Sequence, residues 1–130
     1  MSRNEPEKAI QAIERARRLS PFDPYTFLYA VTIAAAHLAA RRFEQAIEWA
    51  DRTLHEQPRN VSAMRTKVAA NAHLGHLDAA RAELSRMLAG DPKLTITDFL
   101  RRYAHILAPE VLELGVTGLR LAGLPDGEAT

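Results

Sequence analysis

Several residue types are absent or scarce in this chain, and each shortage removes a class of structure or chemistry. There is no cysteine, so disulfide bonds, thiolate metal ligands and cysteine nucleophiles are all excluded. Glycine and proline are few, 6 and 7 among 130 residues, and they lie mostly between periodic segments, which is typical of helices joined by short turns. A chain without cysteine also fits a reducing compartment, and we expect a cytoplasmic protein.

A strong net charge and a long hydrophobic run are missing as well. The formal net charge is +1, too small to attract nucleic acid or an acidic membrane over long distances. The most apolar run, residues 25–40, is shorter than the roughly twenty residues that span a bilayer. The first residues are polar and lack the apolar stretch of a signal peptide. We therefore expect no binding to nucleic acid and no association with a membrane.

What the sequence does contain is a repeat of 34 residues. Prolines recur at this interval, and an alanine lies twelve residues before each of them: Pro24, Pro58 and Pro92, with Ala12, Ala46 and Ala80. An alanine lets two helices approach closely, and a proline ends one helical hairpin before the next begins. A period of this length indicates stacked helical hairpins. The pattern predicts an all-α fold.

Apolar periodicity and capping residues place about seven helices along the chain. We expect them at residues 5–19, 25–40, 43–56, 61–74, 77–89, 96–106 and 109–122. Asp23 and Asn60 are expected N-caps. Thr95 and Asp98 have the spacing of a capping box, and Gly75 is expected to end a helix with a positive φ.

The repeat resembles the tetratricopeptide repeat family. The small, small and proline positions of that family correspond to Ala46, Ala50 and Pro58 in one repeat and to Ala80, Leu84 and Pro92 in the next. Lys67 departs from the family's pattern, which has leucine there. The resemblance implies an α-α superhelix of helical hairpins, a single domain over residues 1–130. Within it we expect a partial repeat at 5–24, repeats at 25–58 and 59–92, a degenerate hairpin at 93–124 and a tail at 125–130.

Three segments, residues 20–25, 43–50 and 112–125, carry a narrower resemblance. They are similar to the C-terminal repeat region of bacterial class III adenylate or guanylate cyclase-like proteins and of winged-helix signalling proteins. That resemblance implies the regulatory or assembly tail of a larger signalling protein. The apolar stripe of helix 5–19 is broader than one neighbouring helix covers, so we expect a segment of a longer protein; the alternative is that this helix is a natural cap of the stack.

Function is expected on the concave groove that the resemblance implies. Its lining on one helix is entirely apolar, namely Leu28, Val31, Ala35, Leu38 and Ala39, and Arg65 follows on the next repeat. An exposed apolar patch of this kind marks an interaction surface, and we expect it to hold an amphipathic helix of a partner protein. Two alternatives remain open: the 25–40 helix forms the seam of a homodimer, or helix 5–19 and the C-terminal hairpin fold over the groove and bury it.

No constellation for catalysis or for a metal is recognisable in the sequence. His73 and His76 lie near Asp78, but a metal site needs a further firm ligand, so we interpret the histidines as turn and surface residues. An HExxH motif, a phosphate-binding glycine loop and a GxSxG elbow are all missing. Arg65 alone does not form the clamp with which some members of the family bind chaperone C-termini. We predict a protein- or peptide-binding module that is not an enzyme and holds no cofactor and no metal.

Overall fold

The computed structural model describes residues 7–8, 10–12, 14–15 and 26–127, without the side chains of residues 26–28. Every regular element in this part of the chain is an α-helix, which confirms the predicted all-α fold. Residues 7–8, 10–12 and 14–15 are helical. The helices after them are α1 (Thr26–Ala39), α2 (Phe43–Glu56), α3 (Val61–His73), α4 (Leu77–Gly90), α5 (Ile96–Tyr103) and α6 (Pro109–Ala122).

These helices pair as sequential hairpins. α1 packs on α2, α3 on α4 and α5 on α6, and α2 also packs on α3, so that the first two hairpins are stacked. α1 and α3, the first helices of those two hairpins, lie side by side and form a surface that we call the α1–α3 face. This is the α-α superhelical arrangement that the repeat predicted.

Small residues at the predicted positions allow the helices of each hairpin to meet. Ala46 on α2 and Ala80 on α4 are completely buried, with 0% of their surface exposed, as expected where two helices cross closely. Ala12 has the same place in the 34-residue register, yet it is exposed, whereas Ile10 of the same segment is buried. The register therefore sets the core of the two complete hairpins and does not extend to the N-terminal segment.

The N-terminal ends of α3 and α5 are capped as the sequence predicted. The Asn60 side-chain oxygen accepts a hydrogen bond from the Ala63 backbone N–H at 3.0 Å. Thr95 and Asp98 form a capping box, in which each side chain accepts from the other residue's backbone N–H. These bonds satisfy N–H groups that have no partner inside the helix. The predicted cap Asp23 lies outside the described residues.

The turns inside the two complete hairpins share a left-handed residue. Gly75 has a φ of 84°, as expected, and Arg41, one repeat length earlier, has a φ of 61°. Glycine adopts this conformation without hindrance from a Cβ atom, whereas it is uncommon for other residues. Because both residue types adopt it at equivalent places, the packing of the helices sets the geometry of these turns.

The last hairpin departs from the regular stack. α6 packs across α3 and also contacts α1 and α4, whereas among the described helices the backbone of α5 packs on α6 alone. The segment after α6 returns to the start of α5, where the backbone N–H groups of Ile96 and Thr97 donate to the carbonyls of Pro125 and Asp126 at 2.9 and 3.0 Å. As a result α6 lies on the α1–α3 face, and a cavity opens between α3, α4 and α5.

Candidate functional site

The groove predicted from the sequence corresponds to the α1–α3 face, and α6 covers part of it. Leu38 on α1 is 1% exposed and belongs to one apolar cluster with Ala69 of α3 and with Val111 and Leu114 of α6. The sequence left open whether the C-terminal hairpin folds over the groove. At Leu38 the hairpin does cover the groove. Leu38 therefore contacts the chain's own last helix and is not an open lining residue.

Two glycines of α6 permit this close approach. A Cβ atom added at Gly118 would lie 2.5 Å from the Cα of Ala69 on α3, so the two backbones are in direct contact. A Cβ atom added at Gly115 would lie 3.4 Å from the ring of Phe99 on α5, which is ordinary van der Waals contact. Glycine at position 118 is therefore what allows α6 to lie directly against α3.

Two of the five histidines, His37 and His73, take part in the packing, which corrects their interpretation as turn and surface residues, whereas His55, His76 and His105 are exposed as expected. His73 Nε2 donates a hydrogen bond to the Leu114 carbonyl of α6 at 3.0 Å, and its ring stacks on Phe43 with centroids 5.2 Å apart. His37 is buried, and its Nδ1 accepts a hydrogen bond from Arg42 Nε at 3.1 Å. His73 thus links α2, α3 and α6, a role that its position three residues before His76 did not reveal.

The remaining predicted groove residues have different surroundings. Val31, Ala35 and Ala39 are partly exposed on α1, so they keep some apolar surface available. Leu28 is helical, but its side chain lies outside the description. Arg65 is buried, with 6% of its surface exposed, and it contributes to the cavity between α3, α4 and α5. None of these placements tests whether the residues bind a partner, and that role stays a prediction.

The cavity, which we call the arginine pocket, has a volume of about 590 Å³. Residues at the end of α4, at the start of α3 and on α5 line it. Apolar side chains and four arginines line it. The apolar ones are Val61, Met64, Met87, Leu94 and Phe99, and the arginines are Arg59, Arg65, Arg86 and Arg102. No local sequence pattern indicates this cavity, because its shape depends on where α5 lies relative to α4. The aromatic pair Phe99 and Tyr103, at helical spacing on α5, was the one local signal available.

Arg65 is the most deeply placed cation of the arginine pocket. Its guanidinium carbon lies 4.7 Å from the ring centre of Tyr103 and 5.6 Å from that of Phe99. Nη1 is buried and donates no hydrogen bond to any described residue. Burial lowers the pKa of Arg65, and the neighbouring Tyr103 opposes this effect. The group is a buried cation that its aromatic neighbours stabilise but that no carboxylate of the described residues neutralises.

Lys67, which departs from the repeat pattern, is accommodated by acids from both adjacent helices. Its Nζ lies 2.7 Å from Asp51 Oδ1 on α2 and 3.1 Å from Glu83 Oε1 on α4. Burial alone would lower the pKa of Lys67, but the hydrogen bonds to the two carboxylates outweigh burial and raise it. Arg86 also contacts Glu83, at 3.2 Å. The leucine contact expected between these helices is thus replaced by an ionic one.

None of the described helices is long and apolar enough to cross a membrane. Among the described residues, no three histidine, aspartate or glutamate side chains come together as metal ligands would.

Comparison with known proteins gives a partial match. Two proteins named FK506-binding protein-like, from Rattus norvegicus and Homo sapiens, are each 33% identical to this chain over 93 residues. The matched segment is 68% of this chain but 27% of the length of each relative, so the chain spans about a quarter of the proteins that it resembles. No protein-family model matches the sequence, and no solved structure shows detectable similarity.

Proposed function

We propose that this chain is a protein-interaction module of the tetratricopeptide type, which binds an amphipathic helix of a partner protein on its α1–α3 face. The observation that carries the proposal is the position of α6, which packs on both α1 and α3. A surface on which a helix is already packed has the shape and the apolar character that helix-in-groove recognition requires. In this proposal the module is the cytoplasmic regulatory or assembly tail of a larger bacterial signalling protein, and it performs no catalysis.

The residue pattern of α6, which packs on this face, indicates what kind of partner helix the face accepts. The buried residues of α6 follow a three- and four-residue spacing: Val111, Leu114, Gly115, Gly118, Leu119 and Ala122. Glu113, Thr117 and Arg120 lie between them and are exposed, which is the pattern of an amphipathic helix. A partner helix is expected to carry the same spacing of apolar and small residues and to contact the partly exposed Val31, Ala35 and Ala39 of α1.

A synthetic peptide with the α6 sequence, residues 109–122, tests whether the face accepts a helix from another molecule. We expect fluorescence anisotropy to show binding to the intact chain, and at least about tenfold tighter binding to the Gly118→Ala variant. The reason is that an added methyl group weakens the packing of the chain's own α6 on Ala69, so this helix competes less with the peptide. A peptide with the Leu114→Glu substitution is the control and should bind to neither form. If the α6 peptide binds neither form of the chain, the proposal is wrong.

Self-association through the 25–40 helix was the alternative. Among the described side chains of α1, residues 29–39, Thr32 is exposed and the others are buried or partly buried. A stable dimer buries about 800 Å² on each subunit, and α1 already packs on α2, α3 and α6. We expect sedimentation equilibrium to show a monomer at tens of micromolar. A tight dimer that Val31→Glu dissociates would replace our proposal with the alternative.

A further inference from the structure

The arginine pocket has the size and the apolar lining of a site for a small molecule. Its volume of about 590 Å³ falls within the range of about 300–1,000 Å³ that is usual for such sites. Four apolar side chains that line it are buried, and they come from α3, α4, α5 and the α4–α5 connection: Met64, Met87, Phe99 and Leu94. An apolar ligand body of moderate size would therefore lose contact with water on the side that faces these four residues.

The charges around the pocket are unbalanced. Four arginines line it and Asp91 is the one acidic residue among the lining residues. Asp91 is engaged by Arg102 at 2.9 Å, and Arg86 is engaged by Glu83 at 3.2 Å. Arg59 and Arg65 form no ion pair with a described residue. The pocket thus combines an apolar wall with two cations that have no acidic partner in the described chain.

Arg65 distinguishes this pocket from an ordinary surface cleft. It is 6% exposed, and its Nη1 has no acceptor among the described residues. A buried cation without a counter-charge is costly, and the Tyr103 and Phe99 rings compensate for only part of the lost hydration. A carboxylate is the anion that best matches a guanidinium, because its two oxygens accept two parallel N–H donors. A ligand that brings such a group into the pocket supplies the missing counter-charge.

We propose that the arginine pocket binds a small organic acid, in which a carboxylate pairs with Arg65 and an apolar chain or ring lies against the methionine, leucine and phenylalanine side chains. Arg59, exposed at the mouth of the pocket, attracts the acid toward it. This site is separate from the proposed partner helix, which contacts α1. The chain therefore has two binding functions that can be measured independently.

Isothermal titration calorimetry of the full chain with octanoate tests the proposal. We expect saturable binding at least about tenfold tighter than that of octanol, which has the same chain without the charge, and of inorganic phosphate, which has charge without an apolar body. If octanoate fails to bind at millimolar concentration, the proposal is overturned. Equal affinity for octanol would also overturn it, because the cations would then contribute nothing, and tighter binding of phosphate would rule out a carboxylate ligand.

The Arg65→Met variant tests the assigned counter-ion. Methionine replaces the apolar stem of arginine and carries no charge, so the variant removes a buried cation and leaves the space of the guanidinium group open. We expect native far-UV circular dichroism, a melting temperature no lower than that of the wild type, and octanoate affinity reduced to that of octanol. Arg101→Met, an exposed residue of α5 outside the pocket, is the matched control and should retain the wild-type affinity. Undiminished octanoate binding by Arg65→Met would contradict the assignment.

A substitution at the mouth tests the same site without altering a buried residue. Val61 lines the pocket, is 49% exposed and is the first residue of α3, where a glutamate is favourable for the helix. Val61→Glu should weaken octanoate binding at least about tenfold by repulsion, and Val61→Gln should not. Equal affinities of these two variants would overturn the proposal. Binding of the α6 peptide should be the same in Arg65→Met as in the wild type, so a failure of the pocket and a failure of the proposed function give different results.

Discussion

At the scale of single residues, Lys67 shows how a charged side chain replaces an apolar contact between stacked helices. Lys67→Met leaves Glu83, which is 4% exposed, with Arg86 as its remaining partner. Removing one member of a fully buried ion pair costs about 3–5 kcal/mol. Because Asp51 is exposed and Arg86 remains, we expect the free energy of unfolding to fall by about 2 kcal/mol, measured by urea denaturation.

Two further variants check this explanation. Arg81→Ala breaks an exposed pair with Asp78 and should cost less than about 1 kcal/mol. The double variant Lys67→Met, Glu83→Leu should recover most of the stability, because no charge is then left buried without its partner. If Arg81→Ala and Lys67→Met lower stability equally, the buried position of Glu83 does not matter and the explanation fails.

His37 is a residue of the described chain that makes stability depend on pH near neutrality. Burial lowers its pKa, and Arg42 lowers it further, while three carboxylates oppose the shift in part: Glu7, Glu14 and Glu48. Because the folded-state pKa lies below the unfolded value of about 6.5, the unfolded chain binds more protons between the two values. The contribution of His37 to stability is therefore complete above that range and is lost as the pH falls through it.

We expect His37→Gln to flatten the pH dependence of the free energy of unfolding between about pH 7.5 and 5.5, because glutamine does not titrate. Urea denaturation at several pH values measures the slope. His105→Gln, which removes one exposed histidine, is the matched control and should leave the slope as in the wild type. A steeper loss of stability at low pH in His37→Gln than in the wild type would contradict the predicted direction of the shift.

At the scale of helices, we expect substitution by alanine to have opposite effects on stability at the two glycines of α6. Alanine is favoured over glycine inside a helix by about 0.5–1 kcal/mol, and Gly115→Ala should gain this amount because its Cβ meets Phe99 at 3.4 Å. At Gly118 the Cβ would lie 2.5 Å from the Ala69 backbone. Overpacking of this kind costs about 1–3 kcal/mol, so Gly118→Ala should be destabilising.

Urea denaturation of the two variants, with far-UV circular dichroism as the probe, measures both effects. The two glycines lie three residues apart in one helix, so each serves as the control for the other. Stabilisation by both variants would mean that α6 does not pack closely on α3, and destabilisation by both would mean that the Phe99 ring leaves no room for a methyl group at position 115.

The contrast between these elements shows which parts of the fold the sequence could predict. The helices α1 to α4 follow from local signals: buried Ala46 and Ala80 recur with the repeat, and Asn60 caps α3. The capping box at Thr95 likewise marks the start of α5. These signals lie within a few residues of the feature that they specify, so a single sequence is sufficient to read them.

The position of α6 was not predictable in the same way. It depends on a contact between Gly118 and Ala69 and on the hydrogen bond from His73 to Leu114, which join residues far apart in the chain. From the sequence, a C-terminal hairpin that covers the groove was therefore one alternative among several. The burial of Arg65 depends on the same placement, because the rings of α5 reach it only when the last hairpin folds back.

At the scale of the whole molecule, α6 changes how stability is shared. In a regular array each repeat contacts its neighbours alone, and distant repeats can unfold separately. Here α6 contacts α1, α3 and α4, so the end of the described chain is joined to its first complete helix. Helix α2 packs on both α1 and α3 and is connected to α6 through them. The described helices should therefore unfold together.

Trp49, the one tryptophan of the chain, allows this cooperativity to be measured. It lies on α2 and packs against the main apolar cluster, so its fluorescence reports on a helix other than α6. In Gly118→Ala we expect the urea midpoint followed by Trp49 fluorescence to decrease, and to coincide with the midpoint followed by far-UV circular dichroism. The physical reason is that weakening the contact of α6 with α3 destabilises the surface on which α2 also packs. A fluorescence midpoint that stays at the wild-type value, while the circular dichroism shows an earlier first step, would mean that α6 unfolds separately from the stack.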